Sequence, residues 1–590
     1  MKGFYFSNNI NKRLSLDSFE KYSKLHKTVK TDRAILYIFH NEPHEAILES
    51  DSLYVANMGV LIYKNEWNRN ALQLLFDDLQ KGFDLVQIMK ETRGQFCLVL
   101  FYMGRLYIIT DKIGSFTIYC YKRADVVEMS NLFLPLARNN KVTLNYQAIA
   151  EYVSSWGHHA YCYDKHMVNE IDSLHEGTIY SIDNKIISIK YYNILDNLTI
   201  GKYSNLSQVI DMTKQLLFDN LSFLKNTDNI YVDLTGGIDT RLNIAVLMKN
   251  GHKFSCGNFG NRLHKRDEHL SKQIADMFHL TFNIYTDEQF DPIFDEATET
   301  FYDITGGIPH TYYHSKLLGY IRNVGKTNDI LITGLGGTEL LSQNYREYVR
   351  SEKHFGYNFL YRYFPYIDII KTEYISEKEY YRNLRQFIDT ICAEVRSKKI
   401  EDIGTYIARS MVTRSLHGRW IGAINCIIPF YSPYLESDFI KLALETSFKM
   451  KSNYKIQRYI LSDLNPRLSN IICTKGFPTS RITPSNFYKF KPFFPLFLRK
   501  MLDFQNVMFA RLKGKLSFPG RAQKMNTSAF DNELWIERTK RAYKDDMKIF
   551  ELIDKTKLKK ILPFMLMQNK YFLLSKLVIL NRLITNDIKT

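Results

Sequence analysis

The 590 residues predict an α/β protein in three parts: a β-rich stretch to about 195, an α/β stretch over about 205–480, and a basic helical stretch over 481–590. Three observations carry that prediction. Two apolar runs, Arg93–Tyr102 and Arg105–Thr110, flank the short link Met103-Gly104, as a hairpin requires. The run Ile230-Tyr231-Val232-Asp233 enters a glycine turn and then a helical pattern. A second apolar run, Asp329–Ile332, also ends in glycines.

In chain order, the hairpin is followed by a turn at Asp111-Lys112-Ile113-Gly114-Ser115 and a strand expected over Phe116–Tyr121. His175-Glu176-Gly177-Thr178-Ile179-Tyr180 reads as a turn into a further strand. From about 205 the pattern alternates strand and helix, which implies a parallel sheet. Phe254–Asn258 and Phe282–Ile284 read as strands, and Arg266–Leu280 as a helix with Leu270, Ile274, Met277 and Phe278 on one face. Beyond about 340 the chain reads as mostly helical, without repeats or low-complexity tracts.

The chemistry concentrates in Leu234-Thr235-Gly236-Gly237-Ile238-Asp239-Thr240-Arg241. Helical spacing continues through Leu242, Ile244, Ala245, Leu247 and Met248 to Gly251, a C-cap position. Glycines let a backbone approach a ligand closely, and the free N–H groups of a first helical turn attract an anion. Asp239 beside such a cradle suits a phosphate–Mg²⁺ complex, because this hard cation prefers carboxylate and phosphate oxygens. No Lys-Ser/Thr follows the glycines, which excludes a Walker A loop. Taken alone, the segment reads equally as an ordinary strand–helix turn. Thr333-Gly334-Leu335-Gly336-Gly337-Thr338-Glu339 repeats the arrangement, and two such turns at the carboxyl edge of one sheet would face one nucleotide.

Composition narrows the class. Hydrophobic content of 45% and aromatic content of 14% belong to a globular chain. Lys+Arg 79 against Asp+Glu 62 gives +17, spread without a block of one sign, so it reads first as a solvated surface. The cysteines at 97, 120, 162, 256, 392, 426 and 473 form no C-x-x-C pair, which argues against zinc ribbons and favours reduced thiols in a cytoplasmic protein. Met1 to Asn8 lacks the apolar core of a signal peptide. Tyr571–Leu580 is too short to span a bilayer and is interrupted by Lys576; it reads as an amphipathic helix packed on the body, with no membrane insertion.

The 234–240 segment resembles the PP-loop, Ser-Gly-Gly-x-Asp-Ser, of ATP pyrophosphatases, with Thr235 and Thr240 keeping the hydroxyls. The order Gly94-x-Phe96, hairpin, Asp111-x-x-Gly114, strand, then Glu176-Gly177-Thr178-x-Tyr180 resembles a class II glutamine amidotransferase domain. Together they resemble the asparagine synthetase family over about residues 30–480. The resemblance implies an Ntn-hydrolase-like αββα sandwich over 1–195, a Rossmann-type PP-loop domain over 205–480, and leaves 481–590 unexplained. It implies ATP and Mg²⁺, with Leu234, Thr235, Gly236, Gly237, Asp239, Thr240, Gly257, Thr333 and Gly334 around the nucleotide and Asp239 on the metal. Lys455, in Lys451-Ser452-Asn453-Tyr454-Lys455, matches the family's catalytic lysine, and Lys475-Gly476-Phe477 fits its downstream lysine loop.

The departures are as informative. In the family motif Ser-Gly-Glu-Gly-x-Asp-Glu, Leu335 replaces the Glu and Thr338 the metal-binding Asp; Glu339 could move in. Around Pro429-Phe430 the family's Arg and Asp are missing, which puts aspartate as substrate in doubt. Position 2 is Lys2 where a class II glutaminase needs cysteine, and no cysteine precedes Cys97, so the first domain is expected to be inactive toward glutamine. His310 and His314, four apart, and His158-His159 read as surface or pocket-lining residues, although the resemblance leaves a recognition role open for the 310–314 segment.

The expectation is an AMP-forming carbon–nitrogen ligase. It would adenylate a small-molecule or peptide carboxylate and pass it to ammonia or an amine, with a separate amidase or a homodimer as open partner readings. Rival readings are a catalytically inactive scaffold and a PP-loop tRNA-modifying enzyme. The net charge suits the second rival; the amidotransferase-like first half does not, and nucleic acid is not expected as a partner.

Overall fold

A computed structural model describes residues 2–41, 46–154, 166–182, 186–259, 265–307, 311–342, 368–395, 406, 417–493, 534–565 and 567–588. The first half builds two antiparallel sheets. One has six strands in the order Ile171–Ser173, Tyr119–Arg123, Val126–Ser130, Gly3–Ser7, Ile35–Phe39, Leu25–Lys30. The other is seven-stranded and runs Ile186–Lys190, Thr178–Ile182, Arg105–Thr110, Arg93–Tyr102, Leu53–Tyr63, Ile47–Glu49, with Glu66–Trp67 paired to Leu53–Tyr63.

Side-chain alternation along Arg93–Tyr102 sorts the layers. Phe96, Leu98 and Leu100 pack with Leu72, Leu75, Phe76 and Leu79 of the Asn68–Gln80 helix. Cys97 and Val99 face the other way, into the core that holds Phe4, Phe6, Leu36 and Ile38 of the other sheet. The Phe133–Asn139 helix packs against the Tyr119–Arg123 and Val126–Ser130 strands. The layers therefore run helix, sheet, sheet, helix.

The expected hairpin forms, with Cys97 opposite Thr110 and Tyr102 opposite Arg105. The strand expected over Phe116–Tyr121 instead covers Tyr119–Arg123. The Asp111 carboxylate is the reason: it accepts from the N–H groups of Ile113, Ser115 and Phe116 at 3.0, 3.0 and 2.7 Å, which holds these residues in a turn. Burial pushes that carboxyl up to about 6, and the four hydrogen bonds of the turn pull against the shift.

The second half is built on a five-stranded parallel sheet, in the order Thr281–Tyr285, Phe254–Phe259, Ile230–Asp233, Ile330–Ile332, Phe430–Tyr431. Ile230–Asp233, first in sequence, lies at the centre, so the order reverses beside it. That reversal is the topological switch point at which open α/β sheets bind ligands. The Ile238–Lys249 helix that follows is buried on nearly every side, Thr240, Arg241 and Asn243 included.

The two halves share one core, with Phe4 and Met129 in the same cluster as Val232 and Ile332. The Lys2 N–H donates to Cys426 O at 2.7 Å. The last described residues also pack on the body. Asp587 accepts from Arg138 Nε at 2.6 Å and from Tyr302 OH at 2.5 Å, and Arg582 holds Glu299 through two bonds of 2.5 and 2.6 Å. Tyr571–Leu580 falls within the buried Met567–Arg582 helix. Among the described residues, no helix is long and apolar enough to cross a membrane.

Candidate active site

Both glycine turns lie at the carboxyl ends of neighbouring strands, Ile230–Asp233 and Ile330–Ile332. The Ile238–Lys249 helix starts from Gly237 with no side-chain cap, so its first-turn N–H groups are left for a ligand. Within the first turn, Thr235 N–H donates to Thr240 Oγ1 at 3.2 Å, the two hydroxyls meet at 3.1 Å, and Gly237 N–H donates to Thr235 Oγ1 at 3.1 Å. Gly236 N–H donates to Asp267 Oδ1 at 2.7 Å, so a carboxylate already sits on the cradle. A Cβ on Gly236 would lie 2.8 Å from both Asp267 Oδ1 and Thr474 Cγ2, so those side chains would have to shift to admit one.

The turns interlock through Asp239. Thr338 donates to Asp239 Oδ2 from its N–H at 2.8 Å and again from its hydroxyl. A Cβ on Gly337 would lie 2.6 Å from Asp239 Cγ, and one on Gly334 would lie 3.0 Å from Thr240 N. Asp239 Oδ1 is buried without a partner. Desolvation, followed by the nearby Glu339 charge, pushes the Asp239 carboxyl up to about 7; Thr338 and Lys475 oppose the shift. Among the described residues, no group of three or more His, Cys, Asp or Glu could hold a metal ion.

The remaining expected residues fall into two classes. Thr333 is buried and its carbonyl accepts from Asn243 Nδ2 at 2.9 Å; Gly334 O accepts from Gly337 N at 3.3 Å. Leu234, expected to line the nucleotide, is fully buried, with its N–H on Gly257 O at 2.8 Å and its carbonyl taken by Asn258 and Ser271. It forms the floor under the cradle. Gly257 is needed for packing, because a Cβ there would lie 2.2 Å from Tyr231 Oη. Asp233, between Tyr320 OH at 2.9 Å and Thr333, is pushed up to about 6 by burial.

The lysines separate as well. Lys455 is half-buried and opens the Lys455–Leu464 helix, after Asn453 and Tyr454 at positive φ of 54° and 56°. The preceding Phe448–Tyr454 turn packs against Gly337–Leu341. Lys475 is tied more closely to the cradle: Thr474 N–H donates to Gly236 O at 3.2 Å, and the Lys475 charge reaches Asp239. Its ammonium also bonds Tyr454 OH and lies 4.4 Å from that ring's centroid.

Sequence reasoning missed several residues. Arg241 is fully buried and donates to Gly236 O at 3.1 Å, Ile471 O at 2.7 Å and Ile472 O at 2.8 Å, so it joins the cradle to the lysine loop. Tyr434 OH donates to Asp239 O at 2.8 Å. Buried His417 lies within the field of Glu339, although burial holds its pKa below the ordinary value. Only Arg241, adjacent to the motif, carried a local signal. His310, His158 and His159 lie outside the described residues; His314 falls in the Thr311–Val324 helix, with its side chain undescribed.

No family model and no curated protein matches the chain. Among solved structures, glutamine phosphoribosylpyrophosphate amidotransferase from B. subtilis, complexed with ADP and GMP, matches at 12% identity over 47% of this chain and 64% of that one, with a TM-score of 0.19. This chain thus spans under two thirds of that enzyme's length. A structure described as the allosteric regulatory enzyme of purine biosynthesis matches at 10% identity over 48% of this chain and 74% of that one, with a TM-score of 0.20. Similarity at this level carries no argument, and the fold rests on the sheet orders and layers above.

Proposed function

We propose that this chain is an asparagine synthetase-like, ATP-dependent amide ligase that adenylates a carboxylate and transfers ammonia or an amine to it, without a glutaminase of its own. The observation that carries the reading is Asp239, which joins two glycine turns at the switch point of a parallel sheet, beside a helix N-terminus with no side-chain cap.

The residues fit ATP and Mg²⁺. The helix N-terminus at Gly237, without a side-chain cap, suits a phosphate, and the orphaned Asp239 Oδ1 suits a cation. Thr235, Gly236, Gly237 and Thr240 would hold the pyrophosphate portion, with Thr333 and Gly334 beside them. Asp239, aided by Glu339, would hold Mg²⁺, which when bound neutralises phosphate charge. Lys475 would stabilise negative charge growing on the α-phosphate as the carboxylate attacks, and Lys455 would add to the field from its helix terminus. The acyl-adenylate forms as the bond to pyrophosphate breaks; attack by nitrogen then releases AMP. Ile427 and Ser432, in place of the family's Arg and Asp, argue for an acid other than aspartate.

A specific observation favours a second reading, a non-catalytic scaffold: Asp267 occupies Gly236 N–H and Thr338 occupies Asp239 Oδ2. Carboxylate-dependent exchange of labelled pyrophosphate into ATP separates the two. The ligase reading expects exchange with at least one member of a carboxylic-acid panel and none in Asp239→Ala. Absence of exchange across the panel favours the scaffold, and full exchange in Asp239→Ala refutes the site.

A further inference from the structure

One residue of the first half is linked to the second glycine turn through Ser432. Gln95, fully buried on the Arg93–Tyr102 strand, accepts from Ser432 N–H at 2.9 Å and donates to Ser432 O at 3.3 Å. Its amide thus imitates a peptide unit paired with residue 432, just past the Phe430–Tyr431 strand. Ser432 Oγ donates to Leu335 O at 2.6 Å, and two residues on, Tyr434 OH donates to Asp239 O at 2.8 Å. The same stretch is held from its other side: Arg93 donates to Asn220 Oδ1 at 3.2 Å, and Asn220 Nδ2 donates to Pro433 O at 2.9 Å. Ser432 and Leu335 are two of the positions that depart from the family pattern, and here they bond to each other.

We infer that Gln95 is a positioning residue of the ligase site, and that the amidotransferase-like half is retained as a clamp on the second glycine turn. The role in catalysis rests on the ligase reading; the mechanical coupling does not. Gln95 acts through Ser432 on the backbone of Leu335, and the same stretch holds Asp239 through Tyr434. Removing the amide leaves the Ser432 N–H buried without a partner and its C=O with the Leu435 N–H alone, at 3.2 Å, and the stretch shifts or frays to recover the lost bond.

Three variants of the full chain test this: Gln95→Met, of similar length but without hydrogen bonds; Gln95→Glu, which keeps the acceptor; and Ser432→Ala, which cuts only the link to Leu335. Hydrogen–deuterium exchange reads the coupling. Gln95→Met should speed exchange over 430–435 and 333–341 by about tenfold, the effect of losing one buried hydrogen bond, with strand 35–39 unchanged. Gln95→Glu should restore part of the protection, and Ser432→Ala should loosen 333–341 alone. In ATP–pyrophosphate exchange, Gln95→Met should lower kcat with little change in KM for ATP. Unchanged amide exchange in both segments overturns the clamp, as does acceleration spread evenly over the chain. A wild-type chain inactive in ATP–pyrophosphate exchange but showing the local acceleration refutes the ligase reading while leaving the clamp standing.

Discussion

The two glycine turns sit side by side and solve different problems. The turn at 235–240 carries two hydroxyls and an acid, and it bonds within itself, to Asp267, to the Thr474 loop and, through Asp239, to Thr338 and Tyr434. The turn at 333–339 has Leu335 and Thr338 where the motif it resembles carries acids; besides Gly337 N–H on Gly334 O, its bonds run to Asp239 and Ser432. On the proposed reading the first turn would hold chemistry and the second position. Hydrogen bonds and close glycine packing are what hold the backbone of the second turn.

The largest effect should come from breaking the contact between the turns. A Cβ at position 337 would collide with Asp239 Cγ at 2.6 Å, and Thr338 denies that carboxylate an easy retreat. Gly337→Ala is expected to lower ATP–pyrophosphate exchange by about 10²-fold or more, because displacement of a reacting constellation by an ångström costs that much. Circular dichroism and the melting temperature should change little; wild-type exchange in this variant would show that the interlock is not part of the site.

A smaller effect sharpens the same contrast. Lys475 follows Thr474, which bonds the first turn, whereas Lys455 follows the Phe448–Tyr454 segment that packs against the second turn's helix. Removal of one stabilising charge from a preorganised site costs about 10²–10³ in kcat, and Lys475→Ala is expected to fall in that range. Lys455→Ala should cost less. The opposite ranking would return the principal charge to Lys455 and make Lys475 a tether for Tyr454.

The strands, hairpin and cradle were legible in sequence because each is written locally. Periodicity marks Ile230–Asp233, glycines mark the turn, and Asp111 marks its own loop. The layer order of the first half came from resemblance, and the alternation of Phe96, Cys97, Leu98 and Val99 accounts for it physically. Asp267, Tyr434 and Gln95 were not legible. They lie far along the chain from the atoms they hold, and a half-buried Asp or a buried Gln looks like any other polar residue until folding selects its partner. Thr338 stands where the resembled motif has a metal-binding Asp; its use as a double donor to Asp239 depends on two strands lying side by side.

Away from the site, the C-terminal packing makes a prediction about stability alone. Lys576 is almost completely buried, donates to Tyr152 O at 2.8 Å and lies over that ring, and burial lowers its ammonium to about 7. The folded chain gives up this proton near pH 7, whereas the unfolded chain keeps it to about pH 10.4. Between those values the unfolded chain binds more protons, so stability from this group rises with pH across the window. Below pH 7 the charged lysine is buried at full cost. Lys576→Met, similar in length and apolar, is expected to raise stability there by roughly 1–4 kcal/mol, offset in part by the lost bond to Tyr152. The gain should shrink as pH climbs through the window, and ATP–pyrophosphate exchange should be unchanged. Thermal melts at pH 6 and pH 9 measure it, and a gain of equal size at both would mean that the buried ammonium carries no such cost.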